Sequence, residues 1–231
     1  MKDETKLVTA GRDPDNNLGI VNPPVYHAST VLYPTVADMD ATRLRRETGE
    51  RGVYYGRMGT PTTFSLEDMV CAVEGGHRAM VYPSGLAAIV ASLMSFVEAG
   101  DHILMVDSVY GPTRRFCNTL AKRINVDTTF YDPAIGASIA ELIQDNTKVV
   151  YAEAPGSQTF VMQDIPAIAE AAHARGCTVL MDNTWASPLY CKPFTLGVDV
   201  SIQAGTKYIV GHSDVMIGTA CATEAAWPEL E

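Results

Sequence analysis

Residues 148–182 read KVVYAEAPGSQTFVMQDIPAIAEAAHARGCTVLMD, and this stretch decides the fold. Two short β-rich runs, 148–153 and 178–182, flank a helical pattern that begins at Pro166 and ends before Gly176. Proline suits the first turn of a helix, and glycine suits the position just after its end. A strand, a helix and a second strand with nearly continuous apolar residues predict two parallel strands that are buried on both faces.

The same alternation continues on both sides of this stretch. A last apolar run, 215–222, follows residues 206–214 too closely for a helical crossover, so it is expected to enter the sheet antiparallel. The sequence therefore predicts an α/β fold with a mostly parallel seven-stranded sheet that helices cover on both faces. The other predicted strands are 78–82, 102–107, 126–131 and 200–203, and the other predicted helices are 86–97, 112–123 and 139–144.

The N-terminal quarter of the chain has a different character. Residues 1–57 are rich in Asp, Asn, Pro and Arg and lack sustained periodicity apart from a possible short helix at 36–46. Beyond Ser65, apolar residues follow helical spacing up to a glycine pair at 75–76. We therefore expect an extended N-terminal arm over residues 1–57 and a globular domain over residues 58–231.

Composition excludes several classes of protein. The chain has 231 residues, 47% hydrophobic and 19% charged, which indicates a globular protein and excludes a disordered or fibrous one. Its net charge of −10 argues against a nucleic-acid partner. No apolar run approaches the roughly 20 residues that span a bilayer. The charged N-terminus does not resemble a secretory signal, so we expect no membrane association and a cytoplasmic location.

Cysteine and histidine usage gives no sign of a metal site. The five cysteines are widely spaced and form no C-x-x-C pair, so they are expected to be reduced and mostly buried thiols. The five histidines show no metal-ligand spacing and are interpreted as structural or surface residues. His212, near Lys207, is the one whose role is least defined by its surroundings.

Chemistry is expected at the carboxyl ends of the strands, where open parallel sheets bind ligands. After the first strand, the turn 83–86 (PSGL) opens an apolar helix whose first N–H groups suit a phosphate. After the fifth strand, Asp182 ends an apolar run, where a charge is costly without a cationic partner. After the sixth strand comes Lys207, which among six lysines is the plausible buried amine and can form a Schiff base.

Each of these features has an ordinary alternative: a strand-to-helix turn, a helix cap and a solvated lysine. Together, a phosphate turn, an acid for a pyridinium nitrogen and an amine for an aldehyde favour pyridoxal phosphate (PLP) as cofactor. The glycine fingerprints of dinucleotide-binding and P-loop proteins are missing from the chain, which argues against a nicotinamide dehydrogenase.

Five blocks of the sequence, in this order along nearly the whole chain, resemble the Cys/Met-metabolism family of PLP enzymes, which has the type I aspartate-aminotransferase fold. The resemblance implies that Lys207 binds the cofactor aldehyde and that Asp182 pairs with the ring nitrogen. The blocks are 53–57 (VYYGR), 83–86 (PSGL), 107–114 (DSVYGPTR), 182–185 (DNTW) and 206–214 (TKYIVGHSD).

The resemblance also implies roles for the other residues in these blocks. The N–H groups of Gly85 and Leu86, together with Thr206, would hold the phosphate. Tyr110 would lie over the cofactor ring and assist Lys207 in catalysis. Tyr55 and Arg57 would reach the phosphate bound by a neighbouring subunit, which implies a homodimer or homotetramer with shared sites.

Two departures from the family pattern narrow the expected activity. Ala204 replaces a serine that often precedes the lysine, and residues 154–160 read APGSQTF where many members carry SPTNP. Both variants resemble the cystathionine β-lyase branch, which implies cleavage of L-cystathionine, a small-molecule amino-acid substrate. A γ-synthase, a γ-lyase, a methionine γ-lyase and a non-catalytic PLP-binding fragment stay open as alternatives.

Family members also carry a C-terminal domain whose arginine grips the substrate carboxylate. The resemblance implies that this domain would follow Glu231. We therefore expect the 231-residue chain by itself to be an incompetent lyase even if it folds and binds PLP.

Overall fold

The computed structural model describes all 231 residues. The chain divides into two compact units, Met1–Met69 and Val70–Glu231. Each unit is described separately, and helix α3 runs from the first unit into the second. No helix is long and apolar enough to cross a membrane.

The N-terminal unit holds two helices, α1 (Asp3–Thr9) and α2 (Val36–Glu47), and most of α3 (Pro61–Glu74). Helix α2 matches the predicted short helix, whereas α1 is absent from the sequence prediction because seven residues carry little periodic signal. A short 3₁₀ turn, Gly56–Met58, lies between them and α3. Much of the unit between α1 and α3 lacks regular structure, as expected for an arm.

The second unit is built on one seven-stranded sheet with the order β1-β7-β6-β5-β4-β2-β3. Every predicted strand is present with small shifts at its ends. In β2 and β7 all five residues are buried, and since successive residues point to opposite faces, both faces of these strands are covered. The strands are β1 (Arg78–Tyr82), β2 (His102–Val106), β3 (Asp127–Tyr131), β4 (Thr147–Glu153), β5 (Thr178–Asp182), β6 (Val200–Gln203) and β7 (Gly218–Ala222).

Strand β7 runs against the other six, which confirms the predicted antiparallel entry. It pairs antiparallel with β6 on one side and with β1 on the other, so β1 and β6 point the same way. Gly218 begins β7 close to the backbone of Ser84, and a Cβ at this glycine would lie 2.2 Å from the Ser84 carbonyl oxygen. The sheet therefore carries the carboxyl ends of six strands on one edge.

Helices connect the strands largely as predicted. Helix α4 (Gly85–Ser95) follows β1, and α5 (Gly111–Phe116) follows β2 and continues as a π-helical turn, Cys117–Ala121. The predicted helix at 139–144 is a 3₁₀ segment, Gly136–Glu141. The remaining segments are α6 (Ile165–His173), α7 (Ser187–Tyr190), a 3₁₀ turn (Pro193–Leu196) and α8 (Trp227–Leu230).

A polar cluster is buried where α3 ends against β6. Glu74 is almost fully buried and accepts hydrogen bonds from Ser201 Oγ at 3.0 Å and from Gln203 Nε2 at 2.8 Å. Burial raises the pKa of Glu74 to about 7, against the lowering effect of these bonds and of the Lys192 charge. Lys192 Nζ donates to the carbonyl of Val73 at 2.7 Å, which fixes its ammonium beside this cluster.

The cysteines and histidines have structural surroundings. All five thiols are free, and Cys117, Cys177 and Cys221 are buried. His102 is buried, with its ring nitrogens 2.8 Å and 2.9 Å from the hydroxyls of Thr147 and Thr129. His212 is exposed and its Nδ1 lies 2.9 Å from the Val210 carbonyl.

Candidate functional site at the carboxyl edge of the sheet

Asp182 ends β5 and has only 7% of its surface exposed. Burial raises the pKa of its carboxyl group, and this is opposed by hydrogen bonds from Thr184 and by the positive charge of Lys207. The Thr184 N–H donates to Asp182 Oδ1 at 2.9 Å. The sequence prediction of a carboxylate held in an apolar setting beside a cation therefore describes this residue well, since a buried charge needs such a partner.

Thr184 joins the end of β5 to the turn after β6. Its Oγ1 accepts the N–H of Ala204 at 2.7 Å, while its own N–H donates to Asp182. The sequence analysis missed this residue. A hydroxyl two positions after a carboxylate is the pattern of an Asx turn and could have drawn attention to it.

Lys207 lies in the turn that follows β6, where its N–H donates to the carbonyl of Ala204 at 2.9 Å. Its side chain is exposed, so the expectation that it is the buried amine among the lysines is wrong. The turn projects beyond the edge of the sheet, where neighbouring segments do not cover it. Lys192 is less exposed than Lys207 and has a backbone carbonyl as partner.

The turn before α4 leaves backbone donors at the helix start. Ser84 is the N-cap: its Oγ accepts the N–H of Ala87 at 3.1 Å, and its carbonyl accepts the N–H of Ala88 at 3.0 Å. The N–H groups of Gly85 and Leu86 precede these bonds and lie at the positive end of an 11-residue helix. This geometry suits an anion, as the sequence predicts for the PSGL turn.

Gly85 brings the start of α4 against the turn after β6. A Cβ on Gly85 would lie 2.5 Å from the Cβ of Ala204 and 2.8 Å from its Cα. Only glycine permits this approach, so the N–H groups of α4 and the segment that carries Lys207 are held at one place.

Thr206 is engaged with the chain that leads into β7. Its Oγ1 donates to the Ile217 carbonyl at 3.0 Å and accepts the Ile217 N–H at 3.1 Å. To donate to a phosphate oxygen, this hydroxyl would exchange its bond to the Ile217 carbonyl. The phosphate role of Thr206 stays a prediction.

Tyr110 follows β2 as the N-cap residue of α5, and 43% of its surface is exposed. Its N–H donates to Glu153 Oε2 at 2.7 Å. Glu153 ends β4 and is buried beside Asp182, its partner in the register of β4 and β5. The sequence analysis missed Glu153, because its contacts come from residues distant along the chain.

Tyr55 and Arg57 belong to the N-terminal unit. Tyr55 precedes the 3₁₀ turn that contains Arg57, and its hydroxyl accepts a hydrogen bond from Ser29 Oγ at 3.3 Å. Their expected contact with a phosphate in a neighbouring subunit stays a prediction.

The residues at this edge fit a phosphorylated ring with a basic nitrogen. Gly85 and Leu86 offer donors at a helix start, and a side chain at position 85 would close that place. Asp182 offers a buried carboxylate for a cationic nitrogen, and the exposed Lys207 offers an amine that a small molecule can reach. PLP carries a phosphate, a ring nitrogen and an aldehyde that match these three groups.

Comparisons with known proteins agree with this fit. Residues 4–230 match the family described as "Cys/Met metabolism PLP-dependent enzyme". The chain is 51% identical over 227 residues to a "Putative cystathionine beta-lyase" of Rhizobium johnstonii and 45% identical over 228 residues to a "Cystathionine beta-lyase" of Haemophilus influenzae. Each alignment covers 98% of this chain, and it covers 56% and 57% of the two relatives respectively.

A solved structure gives the same result. The fold superposes with a TM-score of 0.88 on a cystathionine gamma-lyase from Lactobacillus plantarum complexed with L-serine, at 33% identity. The superposition covers 100% of this chain and 57% of the other. The chain thus spans little more than half the length of these proteins. A match over nearly all of its residues, by sequence and by fold, means that the chain belongs to the family of Cys/Met metabolism PLP-dependent enzymes.

Proposed function

We propose that this chain forms the cofactor-binding part of a PLP-dependent carbon–sulfur β-lyase. In the proposed reaction, L-cystathionine and water give homocysteine, pyruvate and ammonia. The observation that carries the proposal is the buried Asp182 carboxylate, on which the positive charge of Lys207 acts. An acid and an amine so arranged suit the ring nitrogen and the aldehyde of one cofactor.

PLP, when bound, supplies an aldehyde that takes up the substrate amine and a ring that withdraws electrons from Cα. Lys207 Nζ accepts the Cα proton of the substrate, and its exposed turn leaves it within reach of a small molecule. Asp182 keeps a proton on the ring nitrogen through its negative charge. Gly85 and Leu86 N–H groups bind the phosphate, with Thr206 as a further donor, and Tyr110 stacks on the ring.

The substrate is proposed from the relatives, because the proteins that are 51% and 45% identical both carry cystathionine β-lyase in their names. The second candidate is a γ-acting enzyme, which the 33% identical cystathionine gamma-lyase structure supports. Both reactions begin with loss of the Cα proton and differ in the bond that breaks afterwards. The residues described here serve that common first step.

We further propose that the active enzyme is a cytoplasmic homo-oligomer in which Tyr55 and Arg57 of one subunit bind the phosphate held by another. Arg57 presents a planar guanidinium that can donate two hydrogen bonds to a phosphate. Its position in the N-terminal unit agrees with the expected arm, whose residues are largely exposed.

The test uses the complete protein that contains this chain, with Lys207→Ala and, as control, Lys122→Ala, an exposed lysine near the end of the π-helical turn. We expect wild type and the control to release pyruvate from L-cystathionine and to fix PLP covalently on borohydride reduction. Lys207→Ala is expected to do neither. Release of 2-oxobutyrate would favour the γ-acting candidate, and a protein that stays colourless with added PLP would contradict the proposed function.

A further inference from the structure

Two acidic side chains are buried next to each other at the ends of β4 and β5. Glu153 and Asp182 are register partners in this parallel pair, and their exposed fractions are 8% and 7%. Register partners in neighbouring strands point to the same face of a sheet. The cofactor site therefore contains a pair of carboxyl groups, and the chemistry proposed above uses only Asp182.

Glu153 is fixed through both its side chain and its backbone. Its Oε2 accepts the Tyr110 N–H at 2.7 Å, and its carbonyl accepts Gln163 Nε2 at 2.7 Å. Gln163 in turn accepts the hydroxyl of the buried Tyr131 at 3.0 Å. This chain of bonds ties the Tyr110 loop to the centre of the sheet through one carboxyl group.

The two carboxyl groups differ in their surroundings. Lys207 places a positive charge near Asp182, and Thr184 donates to it, so the ionised form is favoured there. At Glu153, burial and then the charge of Asp182 raise the pKa to about 8, although the Tyr110 N–H lowers it. The remaining titratable neighbour, Tyr151, is buried, and burial and both carboxylates hold its pKa well above 10, so it stays neutral.

We propose that Glu153 is a positioning residue, which anchors the Tyr110 backbone and carries the proton of the Glu153–Asp182 pair so that Asp182 is left ionised for the cofactor ring nitrogen. The inference rests on the proposed function for the identity of that ring. The division of labour follows from the low cost of one charge, and the high cost of two, in a shared buried place.

The first experiment needs no cofactor. Folding lifts the pKa of Glu153 from the ordinary value of 4.5 to about 8, so the folded protein holds an extra proton and its stability falls as pH rises through this range. Glu153→Gln cannot ionise. The melting temperature of the PLP-free variant is therefore expected to exceed that of wild type by an amount that grows from pH 5 to pH 8.

The control is Glu170→Gln, an exposed glutamate on α6, whose melting curve should run parallel to wild type over the same pH range. Parallel curves for Glu153→Gln and wild type would overturn the proton assignment. If Glu153→Gln does not fold, the infrared spectrum of wild type decides: a protonated buried carboxyl band at pH 6 that is lost above pH 8 supports the proposal, and its absence at pH 6 contradicts it.

The second experiment tests the anchor. Glutamine keeps an oxygen that can accept the Tyr110 N–H, whereas Glu153→Ala leaves that donor without a partner, which typically weakens a function that depends on it by about tenfold or more. We expect PLP affinity close to wild type in Glu153→Gln and about tenfold weaker in Glu153→Ala. Equal affinities in the two variants would refute the anchoring role. If wild type binds no PLP, the proposed function fails, while the melting curves still test the proton on Glu153.

Discussion

Asp182 illustrates how a carboxylate is kept inside the protein at the end of a strand. Removing an ion from water costs several kcal/mol even after the surroundings relax. Thr184 offsets part of this cost by hydrogen bonding, and Lys207 offsets part by charge, yet the pKa of Asp182 is still raised. The residue is thus incompletely compensated within the chain, and a cationic ring nitrogen would complete its surroundings.

The substitution Asp182→Asn tests this at the residue scale. Asparagine has nearly the same shape but no charge, so it cannot hold a proton on the ring nitrogen. We expect the variant to retain some PLP and to lose Cα-proton exchange by about tenfold or more, equivalent to about 1.4 kcal/mol in the barrier. Deuterium incorporation at Cα of the substrate, followed by NMR, measures the exchange.

Asp107→Asn is the matched control, because Asp107 also follows a strand on this edge but has a largely exposed side chain paired with Arg114. It should exchange the Cα proton at the wild-type rate. Wild-type exchange in Asp182→Asn as well would mean that this carboxylate serves only to cap the turn.

Single residues were predictable from the sequence where their position relative to a strand end sufficed. Asp182 was found because a charge closes an apolar run. Glu153 and Thr184 were missed because their partners, Tyr110 and Ala204, are brought to them only by folding. The exposure of Lys207 could not be read from the sequence either, since elimination of other lysines says nothing about which segments cover a turn.

At the scale of elements, the contact between α4 and the turn after β6 is the feature that assembles the site. Gly85 permits it, and the first N–H groups of the helix lie beside the segment that carries Lys207. Replacing Gly85 with alanine would favour the helix itself by up to about 1 kcal/mol. Any loss of function on this replacement therefore reports the contact, not the helix.

We expect Gly85→Ala to weaken PLP binding by about tenfold or more, since the new methyl group would force the helix start away from Ala204. The control is Gly111→Ala at the start of α5, where a Cβ meets no atom within 4 Å. Titration of each variant with PLP, followed by absorbance, gives the affinities. Equal affinities for the two variants would show that the close approach is not needed for the cofactor.

Strands were predicted more accurately than helices, for physical reasons. Buried strands such as β5 are continuous apolar runs, which are conspicuous in a sequence. The helix predicted at 112–123 becomes a π-helical turn after Phe116, which side-chain periodicity does not distinguish from an α-helix. The four-residue helices α7 and α8 are too short to show any period.

At the scale of the whole molecule, the proposed sharing of sites between subunits can be tested by complementation. A Lys207→Ala protein and an Arg57→Ala protein are each expected to be inactive. After subunit exchange, a mixed dimer would hold one site with both lesions and one site with none, so partial activity should return. The lyase assay on the mixture, compared with each variant alone, measures the recovery.

Mixing Lys207→Ala with Asp182→Asn is the control, because both residues lie in the second unit and no intact site can form. Recovery is expected in the first mixture and not in the second. If exchange is confirmed and neither mixture recovers, the arm serves the site of its own subunit.

The reversed direction of β7 has a consequence for the order of folding. Strand β1 lies at one edge of the sheet and pairs only with β7, from Tyr82 opposite Gly218 to Arg78 opposite Ala222. Contacts between such distant parts of a chain form slowly, because a long loop must close before they can be made. During synthesis, β1 must therefore wait until the last strand has left the ribosome, whereas β2, β3 and β4 can pair much earlier. The corner that holds Gly85 is expected to be among the last parts of the second unit to become native.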